Sequence, residues 1–258
     1  MLPDDVTAAL QRSREIEESS AARDVIDQII ENAGIAKEEQ VPICQDTGVA
    51  LVFVELGQDA HIVGGGLYDA INEGVRRGYN QGYLRKSIVR HPIDRVNTQD
   101  NTPAVIHVEL VPGDRVKITI APKGGGSENV SAAKMLTPAD GLEGVKAFVV
   151  KTVTDAGSNP CPPIVVGVGI GGTLEKTALL SKKAILRNVG EPSANPIDAQ
   201  IERDLLAAVN DTGVGPSGLG GRVTALAVHV ESHPCHIASL PVAVTLQCHA
   251  ARHVTFEV

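Results

Sequence analysis

The chain has no tryptophan and only three phenylalanines and three tyrosines in 258 residues. With 43% of residues hydrophobic, the core must be built from Val, Ile, Leu and Ala. That composition suits an α/β fold of buried strands and packed helices. Positive charge is also lacking. The formal net charge of -8 leaves no basic stripe to displace counterions, which excludes nonspecific nucleic-acid binding. No apolar run is long enough to cross a bilayer and the N-terminus carries no signal-peptide pattern, so no membrane association is expected and the expected compartment is the cytoplasm.

Cysteine is scarce too. Cys44, Cys161, Cys235 and Cys248 lie far apart, with no CxxC pair among them. Such spacing excludes a secreted disulfide framework and argues against a structural zinc site, whose ligands come in close pairs. There is no repeat, no low-complexity segment and no clear linker. The expectation is one domain over residues 1–258, without an internal boundary and with a sizeable core.

Glycine and proline are plentiful, at 26 and 15 residues, and they shape the loops that carry reactive side chains. In VPICQDTG (residues 41–48), a thiol, an amide and a carboxylate follow one another between Pro42 and Gly48. Proline fixes its own φ and glycine permits angles other residues avoid. Alone, the stretch fits either a site or a buried cysteine beside an Asx-turn.

Helical spacing predicts helix over residues 5–34, with Ser19 or Ser20 capping a second segment and Gly34 as its C-terminal cap, then an apolar strand over 49–56 and a helix from Gly64 to Tyr79. Residues 80–103 are polar and irregular, and include Arg85. Two apolar runs, 104–111 and 115–121, flank Pro112-Gly113-Asp114 and predict a hairpin. Lys123 and the glycines after it can turn backbone N–H groups toward an anion. Further helices are expected over 138–156, 173–187 and 196–210, and strands over 164–170 and 223–230. Gly167, Gly169 and Gly172 match the dinucleotide fingerprint, yet Glu191 precedes Pro192 in a loop instead of ending a second strand.

Three cysteines, Cys44, Cys161 and Cys248, sit in loops rich in Pro, Gly, Gln or His. Thiolates from three distant loops can hold a [4Fe–4S] cluster at three irons, and buried or unpaired thiols fit the same spacing. Cys235, followed at once by His236, reads as a packed thiol.

Taken in order, VPICQDTG, KGGGSEN, NPCPP with GVGIGG, and HIASLPVAV with QCHAARH resemble the motifs of the class I, iron–sulfur-dependent fumarate hydratases. The resemblance is greatest to the alpha chain of their two-subunit form, which is shared with L(+)-tartrate dehydratase, and runs from about residue 20 to the C-terminus. It implies an α/β fold of mixed β-sheets flanked by helices, with cluster-binding loops at one end. It implies a [4Fe–4S] cluster with Cys44, Cys161 and Cys248 as its three ligands. It implies Asp46 and His236 as catalytic, with Gln45, Arg85 and the backbone of Gly125 or Gly126 binding substrate. The implied reaction is reversible hydration of fumarate to L-malate, a tricarboxylic acid cycle step, with L(+)-tartrate or mesaconate as alternatives. A beta subunit is expected to complete the site in an α₂β₂ assembly that includes contact between alpha chains. From a different class, a non-enzymatic iron–sulfur sensor would keep the cluster loops without needing Asp46, Arg85 and His236 together.

Overall fold

The computed structural model describes residues 1–258 and has the mixed α/β architecture that the apolar composition implies. In chain order the helices are α1 (Asp4–Ile16), α2 (Ser20–Glu38), α3 (Leu67–Gln81), the single turn α4 (Gly125–Glu128), α5 (Gly141–Ala156), α6 (Leu174–Ala184) and α7 (Pro196–Asn210). The strands are β1 (Val49–Gly57), β2 (Val105–Val111), β3 (Val116–Lys123), β4 (Ala132–Leu136), β5 (Ile164–Gly171), β6 (Ala225–His233), β7 (Leu240–Gln247) and β8 (Val254–Glu257). They form two compact units. One comprises Met1, Ile35–Gly125 and Arg252–Val258, the other Leu2–Gly34 and Gly126–Ala251. Each is assembled from separated pieces of chain, so the division leaves no linker or composition shift to be read in the sequence.

The first unit holds a four-stranded sheet in the order β2-β1-β3-β8. The two runs around Pro112-Gly113-Asp114 are not a hairpin. β2 pairs with β1 in parallel and β3 pairs with β1 antiparallel, so β1 lies between them. The reason is apolarity. β1 reads VALVFVELG with five consecutive buried residues, whereas β2 is largely exposed. The most apolar strand takes the interior position, where both edges are paired. The connecting loop then crosses the end of β1, where the Gly57 and Asp59 N–H groups donate to the carbonyls of Arg115 and Gly113 at 2.8 Å each. A Cβ at Gly57 would come 2.5 Å from the Gly113 carbonyl oxygen, so the crossing requires glycine there. Helix α3 covers one sheet face, packing Val75 and Tyr79 against Ala50, Val52 and Val54. Each such buried valine contributes roughly 1.5–3 kcal/mol.

In the second unit the sheet order is β4-β7-β5-β6, with β5 parallel to β6 and antiparallel to β7. Val149 and Val153 of α5 and Leu205 and Val209 of α7 pack on it in the larger core. Gly167 and Gly169 lie inside β5 and not in a loop beyond it. A Cβ at Gly169 would fall 2.0 Å from the Thr177 carbonyl oxygen, and one at Gly167 would fall 2.2 Å from that of Ser181. These glycines let α6 lie directly on the strand, which is why a phosphate-loop pattern appears without a phosphate loop. The second segment of the helix expected over residues 5–34 starts at Ser20, with Ser19 Oγ accepting the Ala22 N–H at 3.4 Å as a cap, and runs past Gly34 to Glu38, while the first segment ends at Ile16. There the buried Glu17 carboxylate accepts the N–H groups of Glu18, Ser19, Arg222 and Val223 at 2.8–3.1 Å. No helix is long and apolar enough to cross a membrane.

Candidate active site

Val49 pairs with Lys123, so the loop before β1 and the glycines after β3 meet at one end of the first unit's sheet. Asp46 is held there by backbone. Its Oδ1 accepts the Gly48 N–H at 3.1 Å and its Oδ2 accepts the Gly125 N–H at 2.7 Å. The Gly125 N–H is therefore committed to Asp46. The Asp46 N–H donates to Cys44 Sγ at 3.4 Å, and the Cys44 thiol donates to Gln45 Oε1 at 3.2 Å. Lys123 is buried and its ammonium donates to the Gly124 carbonyl at 3.3 Å, which supports the glycine loop.

The irregular segment after α3 joins the same end. Thr47 Oγ1 donates to the Arg85 carbonyl at 2.7 Å. The exposed Arg85 side chain has no carboxylate partner, so its guanidinium is uncommitted. Asn101 Nδ2 donates to the Gly48 carbonyl at 3.2 Å, and Arg252 Nη2 donates to that of Asp46 at 3.4 Å. The Tyr79 hydroxyl lies 2.7 Å from the Thr47 carbonyl and 3.0 Å from that of Gly48, shared between them. Burial pushes the Tyr79 hydroxyl up to about 12, so it remains a donor throughout the ordinary pH range.

In the second unit, β5 pairs Val165 with Gln247, which puts the loops of Cys161 and Cys248 at one end of the sheet. They are tied together, because His249 Nδ1 donates to the Cys161 carbonyl at 2.9 Å. Cys161 has a φ of 55° and its N–H donates to the Ser158 carbonyl at 3.0 Å. The Gln247 amide donates to Cys248 Sγ at 3.8 Å. Gly126 is exposed at the start of this unit's longer piece, and a Cβ there would lie 3.3 Å from the Asn159 carbonyl oxygen.

His236 stands elsewhere. It is in the turn joining β6 to β7, and β5 pairs Gly171 with His233 at that end. The eight residues of β5 put roughly 25 Å between this turn and the Cys161–Cys248 end. The His236 ring accepts the Ala238 N–H at Nδ1, at 3.1 Å. Its own unit therefore does not bring it beside either cysteine. Cys235 is exposed, contrary to the expectation of a packed thiol. It lies past the last residue of β6, outside the packed strands, and donates to the Ser239 carbonyl at 3.3 Å.

None of the four cysteines is in a disulfide. The donors suit iron: Cys44 and Cys248 each receive an N–H on sulfur, the kind of hydrogen bond that steadies a ligating thiolate. Neither unit by itself gathers three His, Cys, Asp or Glu side chains around a metal position. Sequence reasoning missed Tyr79, Asn101 and Arg252. Only Arg252 carried a signal, as part of the QCHAARH motif.

A family profile described as fumarate hydratase (Fumerase) matches residues 1–257. A provisionally named L(+)-tartrate dehydratase subunit alpha of Methanocaldococcus jannaschii is 45% identical, over 97% of this chain and 90% of that protein. The L(+)-tartrate dehydratase subunit alpha of Escherichia coli K12 is 35% identical, over 100% of this chain and 86% of that protein. A Shigella sonnei protein of the same name matches to the same extent. With the profile spanning nearly every residue and these relatives aligned along the whole chain, this protein belongs to the fumarate hydratase (Fumerase) family of hydro-lyase enzymes.

Proposed function

We propose that the chain is the alpha subunit of a hydro-lyase acting on a hydroxylated four-carbon dicarboxylate, with L(+)-tartrate favoured over malate and fumarate. The sequence motifs put fumarate hydration first. The relatives at 35% and 45% identity carry the tartrate dehydratase name over the full chain length, which favours the second substrate. Mesaconate has no such support.

One observation carries the chemistry. A carboxylate fixed by two backbone N–H groups, Asp46, stands on a loop bonded through Thr47 to the segment bearing an uncommitted guanidinium, Arg85. Arg85 pairs with one substrate carboxylate, and a guanidinium does so through two parallel hydrogen bonds. Asp46 takes the proton from the carbon next to a carboxylate, and Gln45 orients the substrate beside it. Loss of that hydrogen with the hydroxyl of the adjoining carbon turns malate into fumarate and water. Tartrate loses the same elements to give an enol, which tautomerises to oxaloacetate.

Cys44, Cys161 and Cys248 would hold a [4Fe–4S] cluster at three irons, and such a cluster, when bound, supplies a Lewis-acidic iron. A reducing cytoplasm suits these unlinked thiols. The word alpha in the relatives' names implies a beta subunit, and in this reading that subunit contributes the remaining substrate contacts. His236 takes a catalytic part only from a second alpha chain, since its own Cys161 and Cys248 lie at the far end of the sheet.

The test is anaerobic co-production with the beta chain, followed by initial rates on L(+)-tartrate and L-malate. A higher kcat/KM for tartrate supports the proposal. A preference for malate moves the substrate back to fumarate hydration, and a cluster without turnover on either favours the sensor reading.

A further inference from the structure

Both ends of one buried amide are used between the two loops that carry Asp46 and Arg85. Asn101 is 0% exposed. Its Oδ1 accepts the Ser87 N–H at 2.7 Å, and its Nδ2 donates to the Gly48 carbonyl at 3.2 Å. Ser87 is the second residue after Arg85, and Gly48 is the second after Asp46. The amide thus reaches the same offset on each side. Its backbone φ of 61° lies in the left-handed region, which asparagine tolerates better than most residues.

A second bond closes the loop pair. Thr47, buried and adjacent to Asp46, donates its hydroxyl to the carbonyl of Arg85 itself at 2.7 Å. Between α3 and β2 there is no helix or strand to order the Arg85 segment. Its backbone bonds, Leu84 N–H to the Tyr79 carbonyl and the short ladder around Val89 and Asn97, stay within α3 and the segment itself, whereas the Thr47 and Asn101 side chains join it to the Asp46 loop. A loop staple with no role at the site has no reason to end beside one functional residue on each side, and these two bonds both do.

We propose that Asn101 and Thr47 are positioning residues that set the Arg85 guanidinium relative to the Asp46 carboxylate, so that a dicarboxylate clamped by one presents its reacting carbon to the other. This rests on the reading of Asp46 and Arg85 given above. Neither positioning residue touches substrate. Each acts by holding backbone, and a misplacement of about 1 Å between reacting groups can cost on the order of 100-fold in rate.

The experiment uses the alpha chain co-produced anaerobically with its beta partner. Thr47→Val keeps the shape and removes the donor to Arg85. Asn101→Asp keeps the acceptor for Ser87 and removes the donor to Gly48. The expected result for each is a loss of about 100-fold in kcat/KM, with iron per chain unchanged. Against Arg85→Lys, each change is expected to cost less than about three-fold more, because the pair being positioned is already broken. Losses that simply multiply would show general damage and overturn the proposal.

A readout independent of turnover is amide hydrogen exchange in the absence of substrate. Removing the Asn101 side chain with Asn101→Gly, which tolerates the left-handed φ, is expected to speed Ser87 exchange at least about ten-fold. Unchanged Ser87 exchange overturns the clasp whatever the activity. A wild-type complex that dehydrates no dicarboxylate defeats the functional reading, and the proposal as a statement about catalysis falls with it. The exchange result still decides whether these residues order the two loops.

Discussion

Gly125 donates its backbone N–H to Asp46 Oδ2 at 2.7 Å, across 79 positions of sequence. With the Gly48 N–H on Oδ1, this fixes the orientation of a side chain that would otherwise turn freely about its last bond. Asp46→Asn keeps size and shape but removes the base. The expected loss in kcat is about 100- to 10,000-fold, with iron per chain near wild type and the thermal midpoint lowered, because the new amide NH2 must face one of the two backbone N–H groups that the carboxylate accepts. Gly125→Pro removes the N–H and sets the ring Cδ against Asp46 Oδ2, which lies 2.7 Å from the nitrogen, so the carboxylate must turn away and a loss of at least about 10-fold is expected. Steady-state rates under anaerobic conditions check both.

Gly169→Ala tests the reading of the glycine pattern. The new methyl would lie 2.0 Å from the Thr177 carbonyl oxygen, so α6 must shift off β5. Overpacking of this kind costs about 1–3 kcal/mol. The change is expected to lower the denaturation midpoint, while NAD and ATP leave the wild-type midpoint unmoved. A stabilising shift with either nucleotide would restore the dinucleotide reading.

Glu17 contributes to the acid stability of the second unit from a buried position. Burial disfavours its charge, but four backbone N–H donors outweigh that and hold the carboxyl below its ordinary value. A carboxyl depressed on folding adds stability at pH above its unfolded value, near 4.5, and that stability is lost as pH falls through the lower folded value. Glu17→Gln is therefore expected to reduce stability at neutral pH and to flatten its fall in acid. Urea midpoints measured from pH 7 down to 3 decide this. Parallel curves for the two proteins would contradict it.

The sequence made the α/β class and most elements legible because β1, β5 and the helices carry unmistakable apolar periodicities. It misplaced the β2–β3 connection because a turn signal at Pro112-Gly113-Asp114 reports only a reversal of the chain. Which strand fills the space between depends on β1, a distant segment of higher apolarity. The Asp46 loop was visible as a motif of reactive types between Pro42 and Gly48. Its supports were not. Tyr79 looks like a core aromatic on an amphipathic helix, and Asn101 looks like one polar residue among many in an irregular loop. Their function lies in backbone carbonyls more than 30 positions away, which no local pattern encodes.

His236 yields a prediction about assembly. Chains carrying His236→Asn and chains carrying Asp46→Asn are each expected to be nearly inactive. Co-produced in one cell with the beta chain, they should recover activity well above either alone, because mixed oligomers contain a site with both groups intact. No recovery, with mixed oligomers shown to form, would mean that His236 does not act from a second chain.

The cluster proposed above takes Cys44, Cys161 and Cys248 as its ligands, and not Cys235. Iron and acid-labile sulfide per chain, measured anaerobically on the complex with the beta subunit, test it most directly across single Cys→Ser variants. About four irons and four sulfides are expected in the wild type and in Cys235→Ser, with the full complement lost in Cys44→Ser, Cys161→Ser and Cys248→Ser. A full complement in any of those three, or its loss in Cys235→Ser alone, would contradict the assignment.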